Sequence, residues 1–262
     1  MDSKPLVVGT GPVTVLALHG WFGSATGWGA LPELVDGDRY SVAFVDYRGY
    51  GSRRGATGDF TLAEIASDAL ATVDALGWSS FAVLGHSMGG SAMQRVLLDA
   101  EDRVTGLVGV SPVPSTGVPF DEQSGPLFRG AAREPANRHA IIDLTTGNRL
   151  SRAWLDRMVQ HSLENSDEAA VAGYLDAWAG TDFSAQVQGN PVPVLVVVGE
   201  HDPALSAAVM EQTFLQHYPN CSLEVLANAG HYAMYETPVA LVTVVERFLD
   251  RLHEPGAGRR TR

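Results

Sequence analysis

Apolar residues along this chain fall into two recurring patterns, and their alternation predicts the architecture. Six short runs are apolar with little polar interruption: "PVTVLAL" (12–18), "YSVAFVD" (40–46), "FAVLG" (81–85), "VTGLVGV" (104–110), "PVLVVVG" (193–199) and "SLEVLA" (222–227). Most lack the polar alternation of a half-exposed strand, which predicts strands covered on both faces of a parallel sheet. Between the runs, apolar positions recur with helical spacing. In "TLAEIASDALATVDAL" (61–76), Leu62, Ile65, Ala69, Val73 and Leu76 share one face, Thr61 and Glu64 form a capping box, and Gly77 follows the end. Further helices are predicted over 88–99, 205–217 and 238–252. The βαβα alternation predicts an α/β fold, a mostly parallel twisted sheet with helices on both faces. At the start, "KPLVVGTGPVTV" predicts a hairpin at one sheet edge, with "GTGP" (9–12) as its turn.

Residues 112–190 depart from this rhythm. A Pro-rich loop, "SPVPSTGVP", leads into helical stretches over 126–146, 150–163 and 167–180, with no strand pattern among them. An insertion between two strands of an open sheet sits over the strand ends. Residues 112–190 are therefore expected to form a helical cap on a core built from 1–111 and 191–253, followed by a flexible tail, 254–262.

Composition narrows the function classes. With 45% hydrophobic and 18% charged residues in 262, the chain can bury a large core and is not a disordered polymer. Eighteen basic against 30 acidic residues give a net charge of −12, which argues against nucleic acid or an anionic membrane as partner. The lone Cys221 excludes a disulfide framework and a cysteine-based metal site. The first residues lack the pattern of a signal peptide, and no apolar run approaches the ~20 residues needed to span a bilayer. The expectation is a cytoplasmic protein, monomeric or homodimeric.

The chemistry concentrates at one strand end. "GHSMG" (85–89) fits G-x-S-x-G, with the strand "FAVLG" before it and the helix "MGGSAMQRVLLDA" after it. A serine on so sharp a turn needs tiny neighbours, here Gly85 and Gly89, while Gly90 lets the helix approach closely. The turn would expose the Ser87 hydroxyl and place the Met88 N–H at a helix N-terminus, where it can stabilise an oxyanion. A serine is a poor nucleophile at neutral pH and needs a base and an orienting acid. Asp202 follows one apolar strand in "VVVGEHDPAL", and His231 follows the next in "VLANAGHYAMYETP". Asp202 also fits a helix N-cap, and His231 a turn histidine bonded to a carbonyl. Their joint placement after Ser87, each at the carboxyl end of a strand, favours a catalytic set.

Taken with "LALHGWFGSATGW" and "DYRGYGSR", these motifs resemble the α/β-hydrolase superfamily, in its branch of small esterases, lactonases and cofactor-free haloperoxidase-like proteins. The resemblance covers nearly the whole chain. It implies Ser87 as nucleophile, His231 as general base and then acid, Asp202 as the residue orienting His231, and Trp21 beside Met88 as the oxyanion-hole amides. Gly20 and Gly23 would let the Trp21 loop approach, while His19, Asp46 and Arg48 become scaffold. The chain departs from relatives in carrying serine rather than aspartate as nucleophile, and "HGWFG" where lipases carry His-Gly-Gly-Gly.

The resemblance implies carboxylic ester hydrolysis, with lactone opening, perhydrolysis, carbon–carbon or thioester cleavage using the same residues, and a small-molecule receptor on a hydrolase scaffold as the reading of another class. No cofactor and no metal is expected, since His139 and His161 lack metal-ligand spacing. Trp154 and Trp178 on the inserted helices either fasten the cap or line an apolar substrate pocket with Trp21, Phe22, Met88 and Tyr232.

Overall fold

The structure, a computed structural model, describes residues 4–122 and 124–253; the expected tail, 254–262, lies outside them. The chain runs β1 (Leu6–Val8), β2 (Val13–Leu18), α1 (Leu31–Leu34), β3 (Tyr40–Val45), α2 (Leu62–Ala75), β4 (Phe81–His86), α3 (Met88–Asp99) and β5 (Val104–Val110). Five helices follow: α4 (Ser124–Gly130), α5 (Pro135–Thr145), α6 (Arg152–Glu164), α7 (Glu168–Gly180) and α8 (Ser184–Val187). The last part is β6 (Val194–Gly199), α9 (Ala207–Gln212), α10 (Phe214–His217), β7 (Cys221–Leu226), α11 (Ala233–Glu236) and α12 (Pro238–His253).

The seven strands form one sheet in the order β1-β3-β2-β4-β5-β6-β7, with only β1 antiparallel to its neighbour. Strands β3, β4 and β6 are buried at every position, as their unbroken apolar sequences require. Helices cover both faces. A Cβ added at Gly106 of β5 would meet Leu252 of α12, whereas one at Gly109, three residues on and so on the opposite face, would meet Met93 of α3. Among the described residues, no helix is long and apolar enough to cross a membrane.

Four sequence expectations change. Leu6–Val8 does not form a hairpin with β2: β1 pairs with β3, Leu6 opposite Phe44 and Val8 opposite Val42, and β3 lies between β1 and β2. Residues 9–12 instead connect β1 to β2 across β3, with Thr10 and Gly11 N–H donating to Gly37 O in the segment before β3. The helix expected over 126–146 is two, because Pro135 cannot donate and Glu134 before it adopts φ −101°, ψ 107°. The helix over 205–217 also divides, at Thr213, whose backbone leaves the helical region at φ −124°, ψ −85°. The capping box is displaced too. Thr61 Oγ1 accepts the Glu64 N–H at 3.1 Å, but the Glu64 carboxylate reaches past it to the N–H groups of Asp59 and Phe60.

Candidate active site

β4 ends at His86 and α3 begins at Met88, so Ser87 alone makes the bend. Its backbone stands at φ 52°, ψ −117°, a conformation that costs a residue with a side chain about 1–3 kcal/mol. Main-chain bonds on three sides hold it. The Ser87 N–H donates to Val110 O at 3.0 Å, and Ser87 O accepts from the N–H of Gly90 at 2.7 Å and of Val113 at 2.9 Å. The bend is as tight as backbone allows: a Cβ on Gly85 would stand 2.3 Å from Gly89 O, and one on Gly89 2.1 Å from Leu18 O. Gly89→Ala is therefore expected to destabilise the fold by about 3 kcal/mol, read by chemical denaturation; a loss below about 1 kcal/mol would show that this backbone can yield.

The loop after β2 passes directly beside the serine. A Cβ on Gly20 would lie 3.1 Å from Ser87 Cβ and 2.7 Å from His86 Nδ1, so only glycine fits. The loop's other groups are pinned from below. Tyr47 Oη donates to His19 O at 2.9 Å, Tyr50 Oη to Trp21 O at 2.8 Å, and the Trp21 indole Nε1–H to Val171 O at 2.8 Å. His19 stacks on Tyr47 with ring centroids 4.0 Å apart and bonds Gly20 O through Nδ1 at 2.8 Å. Burial lowers its pKa to about 4, so it is neutral. Among the described residues, neither the Trp21 nor the Met88 N–H is spent on a main-chain hydrogen bond, which leaves two donors at the serine bend, one of them at the start of α3.

Asp202 follows β6 and His231 follows β7, and both are buried, at 1% and 7% exposure. His231 Nδ1–H donates to Asp202 Oδ2 at 2.7 Å, while Asp202 Oδ1 accepts from the N–H groups of Ala204 and Leu205 at 3.0 and 3.1 Å. Burial opposes the Asp202 charge, but His231 and these N–H groups outweigh it and hold the carboxyl below its ordinary range. With the ring proton on Nδ1, Nε2 is the basic nitrogen. Ser87 and His231 line one cavity without a direct hydrogen bond between them. Neutral His86 packs between them and the loop: its ring centroid is 5.0 Å from that of His231, and burial lowers its pKa to about 3.

The cavity lies at the carboxyl ends of β4 and β5. Trp21, Phe22, Phe120, Phe128 and Trp178 supply its aromatic wall, with Trp21 stacked on Phe22 at 4.4 Å and Phe120 on Phe128 at 4.4 Å. Val113, Val118, Ile141 and Leu205 supply aliphatic surface, and Tyr232 stands beside His231. Two side chains expected here lie elsewhere. Met88 is fully buried, because the first turn of α3 directs its side chain into the core while its N–H stays at the bend. Trp154 packs edge-on against Tyr232 and Tyr235, centroids 5.8 and 6.2 Å away, and so backs the Tyr232 wall rather than forming it. Of the histidines on the inserted helices, His161 bonds Ser24 Oγ at 3.1 Å in the segment after the Trp21 loop. His139 lies near Asp156, 3.8 Å away, with its side chain 36% exposed. Asp46 accepts the Ala25 and Ser52 N–H groups, and Arg48 pairs with Glu64 and Asp68, so both brace the fold.

Sequence comparison matches residues 13–238 to the family model described as alpha/beta hydrolase fold. Over 234 residues the chain is 28% identical to a dihydrolipoyllysine-residue acetyltransferase component of the acetoin cleaving system of Cupriavidus necator, covering 87% of this chain and 61% of that longer protein. Over 218 residues it is 27% identical to 3-oxoadipate enol-lactonase 2 of Acinetobacter baylyi, covering 82% of this chain and 81% of the relative. A thermophilic esterase from Thermogutta terrifontis superimposes with a TM-score of 0.81 at 24% identity, over 95% of this chain and 93% of the other. With its sheet order, its serine bend and a profile match over most of its length, the chain belongs to the α/β-hydrolase fold family.

Proposed function

We propose that this protein is a serine hydrolase that cleaves carboxylic esters, including cyclic ones, of small to medium apolar acids. The observation that carries the reading is the His231–Asp202 pair opening onto the same cavity as a serine held at positive φ. In the proposed reaction Ser87 Oγ bonds to the substrate carbonyl carbon as His231 Nε2 takes the hydroxyl proton. The carbonyl oxygen becomes an oxyanion held by the Trp21 and Met88 N–H groups. His231 then gives its proton to the departing alcohol as the carbon–oxygen bond breaks, and a water molecule activated by the same nitrogen releases the acid. The names of the enol-lactonase and esterase relatives support ring and chain esters as substrates. Rapid labelling of Ser87 by a fluorophosphonate, together with turnover of p-nitrophenyl hexanoate, is the expected result; labelling without turnover of any ester or lactone would favour a receptor, and neither would remove the reading.

The walls also set the charge of the substrate. No lysine or arginine is among the described lining residues, and the site carries the ionised Asp202. A carboxylate carried into this cavity would lose its water without gaining a partner, which costs several kcal/mol. The mono-p-nitrophenyl ester of adipic acid, equal in length to the hexanoate but ending in a carboxylate, is expected to show kcat/KM about 100-fold lower, equivalent to about 2.7 kcal/mol. Equal values in a spectrophotometric assay would overturn this.

A further inference from the structure

We propose that Glu236 and Arg149 act as a positioning pair for His231, fastening the loop that carries the imidazole to the inserted helical segment. The inference rests on the catalytic role proposed for His231. Glu236 closes α11, and its side chain is only 3% exposed. One carboxylate oxygen accepts the Gly230 N–H at 2.8 Å and the other the Tyr232 N–H at 3.1 Å. The residues on either side of His231 therefore hang from a single carboxylate. Arg149, between α5 and α6, pairs with that carboxylate and donates to Asn228 O at 3.0 Å, where the loop turns at φ 60°. Two more bonds complete the anchorage: the His231 N–H donates to Thr145 O at 3.1 Å, at the end of α5, and His86 Nε2–H donates to His231 O at 2.9 Å. With residues 228, 230, 231 and 232 all held, the imidazole keeps only its side-chain rotation, which Asp202 fixes.

An ion pair between a buried carboxylate and an exposed guanidinium is a poor device for stability alone, because desolvation of the carboxylate offsets much of the attraction. Burial does push the Glu236 carboxyl above its ordinary range, against the pull of Gly230 and Arg149. What the pair supplies is geometry: a carboxylate presents two acceptors to two N–H groups that point the same way, as no neutral side chain does. Glutamine would set its NH₂ against one of those N–H groups. A displacement near 1 Å at a catalytic group costs about 100-fold in rate.

The test compares wild type with Glu236→Gln, Glu236→Ala, Arg149→Ala, Arg149→Lys and the Arg149→Ala/Glu236→Ala double variant. Readouts are kcat and KM on p-nitrophenyl hexanoate, the downfield proton NMR signal of the His231–Asp202 hydrogen bond, and the thermal midpoint. Glu236→Gln is expected to lower kcat about 10- to 100-fold with KM nearly unchanged, and to broaden or abolish the downfield proton in a folded protein. Arg149→Lys should retain more kcat than Arg149→Ala, and the double variant should be no worse than Glu236→Ala. A Glu236→Gln enzyme with kcat within about twofold of wild type and the downfield proton intact would overturn the proposal, as would multiplicative losses in the double variant. Should wild type turn over no ester, the hydrolase reading fails separately and the proton signal alone decides: retained in Glu236→Gln it refutes the pair's role, lost it supports it. If Glu236→Ala does not fold, Arg149→Ala against Arg149→Lys makes the same decision.

Discussion

Ser87→Ala is expected to lower kcat for p-nitrophenyl hexanoate about 10⁶-fold while leaving the fold intact. The substitution deletes one oxygen that makes no hydrogen bond among the described residues, and the bonds that hold the bend, to Val110, Gly90 and Val113, are all main chain. Alanine also keeps the Cβ, so the strain at φ 52° neither grows nor disappears. The thermal midpoint should stay close to wild type. Turnover reduced only tenfold would move the nucleophile elsewhere.

The second large effect is expected at the carboxylate. Asp202→Asn should lower kcat about 10⁴-fold, a magnitude known from the serine protease triad. The hydrogen-bond pattern shows why so small a change weighs so much. One Asp202 oxygen is committed to the N–H groups of Ala204 and Leu205, so an asparagine would keep its carbonyl there and turn its NH₂ toward His231. Nδ1 must then accept, the ring proton moves to Nε2, and the base facing the serine is lost. Stability has a matching pH signature. The folded carboxyl lies below its ordinary value, so its contribution is complete above that value and disappears as pH falls through the lower folded one. The asparagine variant should therefore lose less stability than wild type on acidification; an unchanged acid-unfolding curve would contradict this, and a loss of less than about 100-fold in kcat would remove Asp202 from the catalytic set.

The serine bend was legible because everything that makes it lies within ten residues: an apolar strand, two glycines that touch backbone, and a helix start. Asp202 and His231 were legible because each lies in the loop after a strand, the buried β6 and the edge strand β7, which fixes its position at the carboxyl ends of the sheet before any contact is known. The pairing of β1 was not, since Leu6–Val8 reads equally well beside β2 or β3 and only the path of the sheet decides. A residue type says nothing about which way its side chain leaves a helix, so the sequence puts Met88 in the pocket and leaves Trp154 open between fastening the cap and lining the pocket. Glu236 and Arg149 went unrecognised for a different reason. Their partners include backbone groups of the His231 loop, and Arg149 reaches across 79 residues to Asn228, so no local spacing announces them. The one available signal was an acidic residue five positions after the histidine in "HYAMYE".

The bond from the His231 N–H to Thr145 O has a consequence for how a molecule reaches the serine. If the helices between β5 and β6 swung away as one rigid piece, Thr145 and Arg149 would leave with them and the base would be disarmed by the very motion that admits the substrate. A doorway at Val118, Phe120 and Phe128, which line the cavity and make none of the bonds that hold the His231 loop, would carry no such penalty. Entry by that route would leave the imidazole seated, and the proposed site would stay loaded between one turnover and the next.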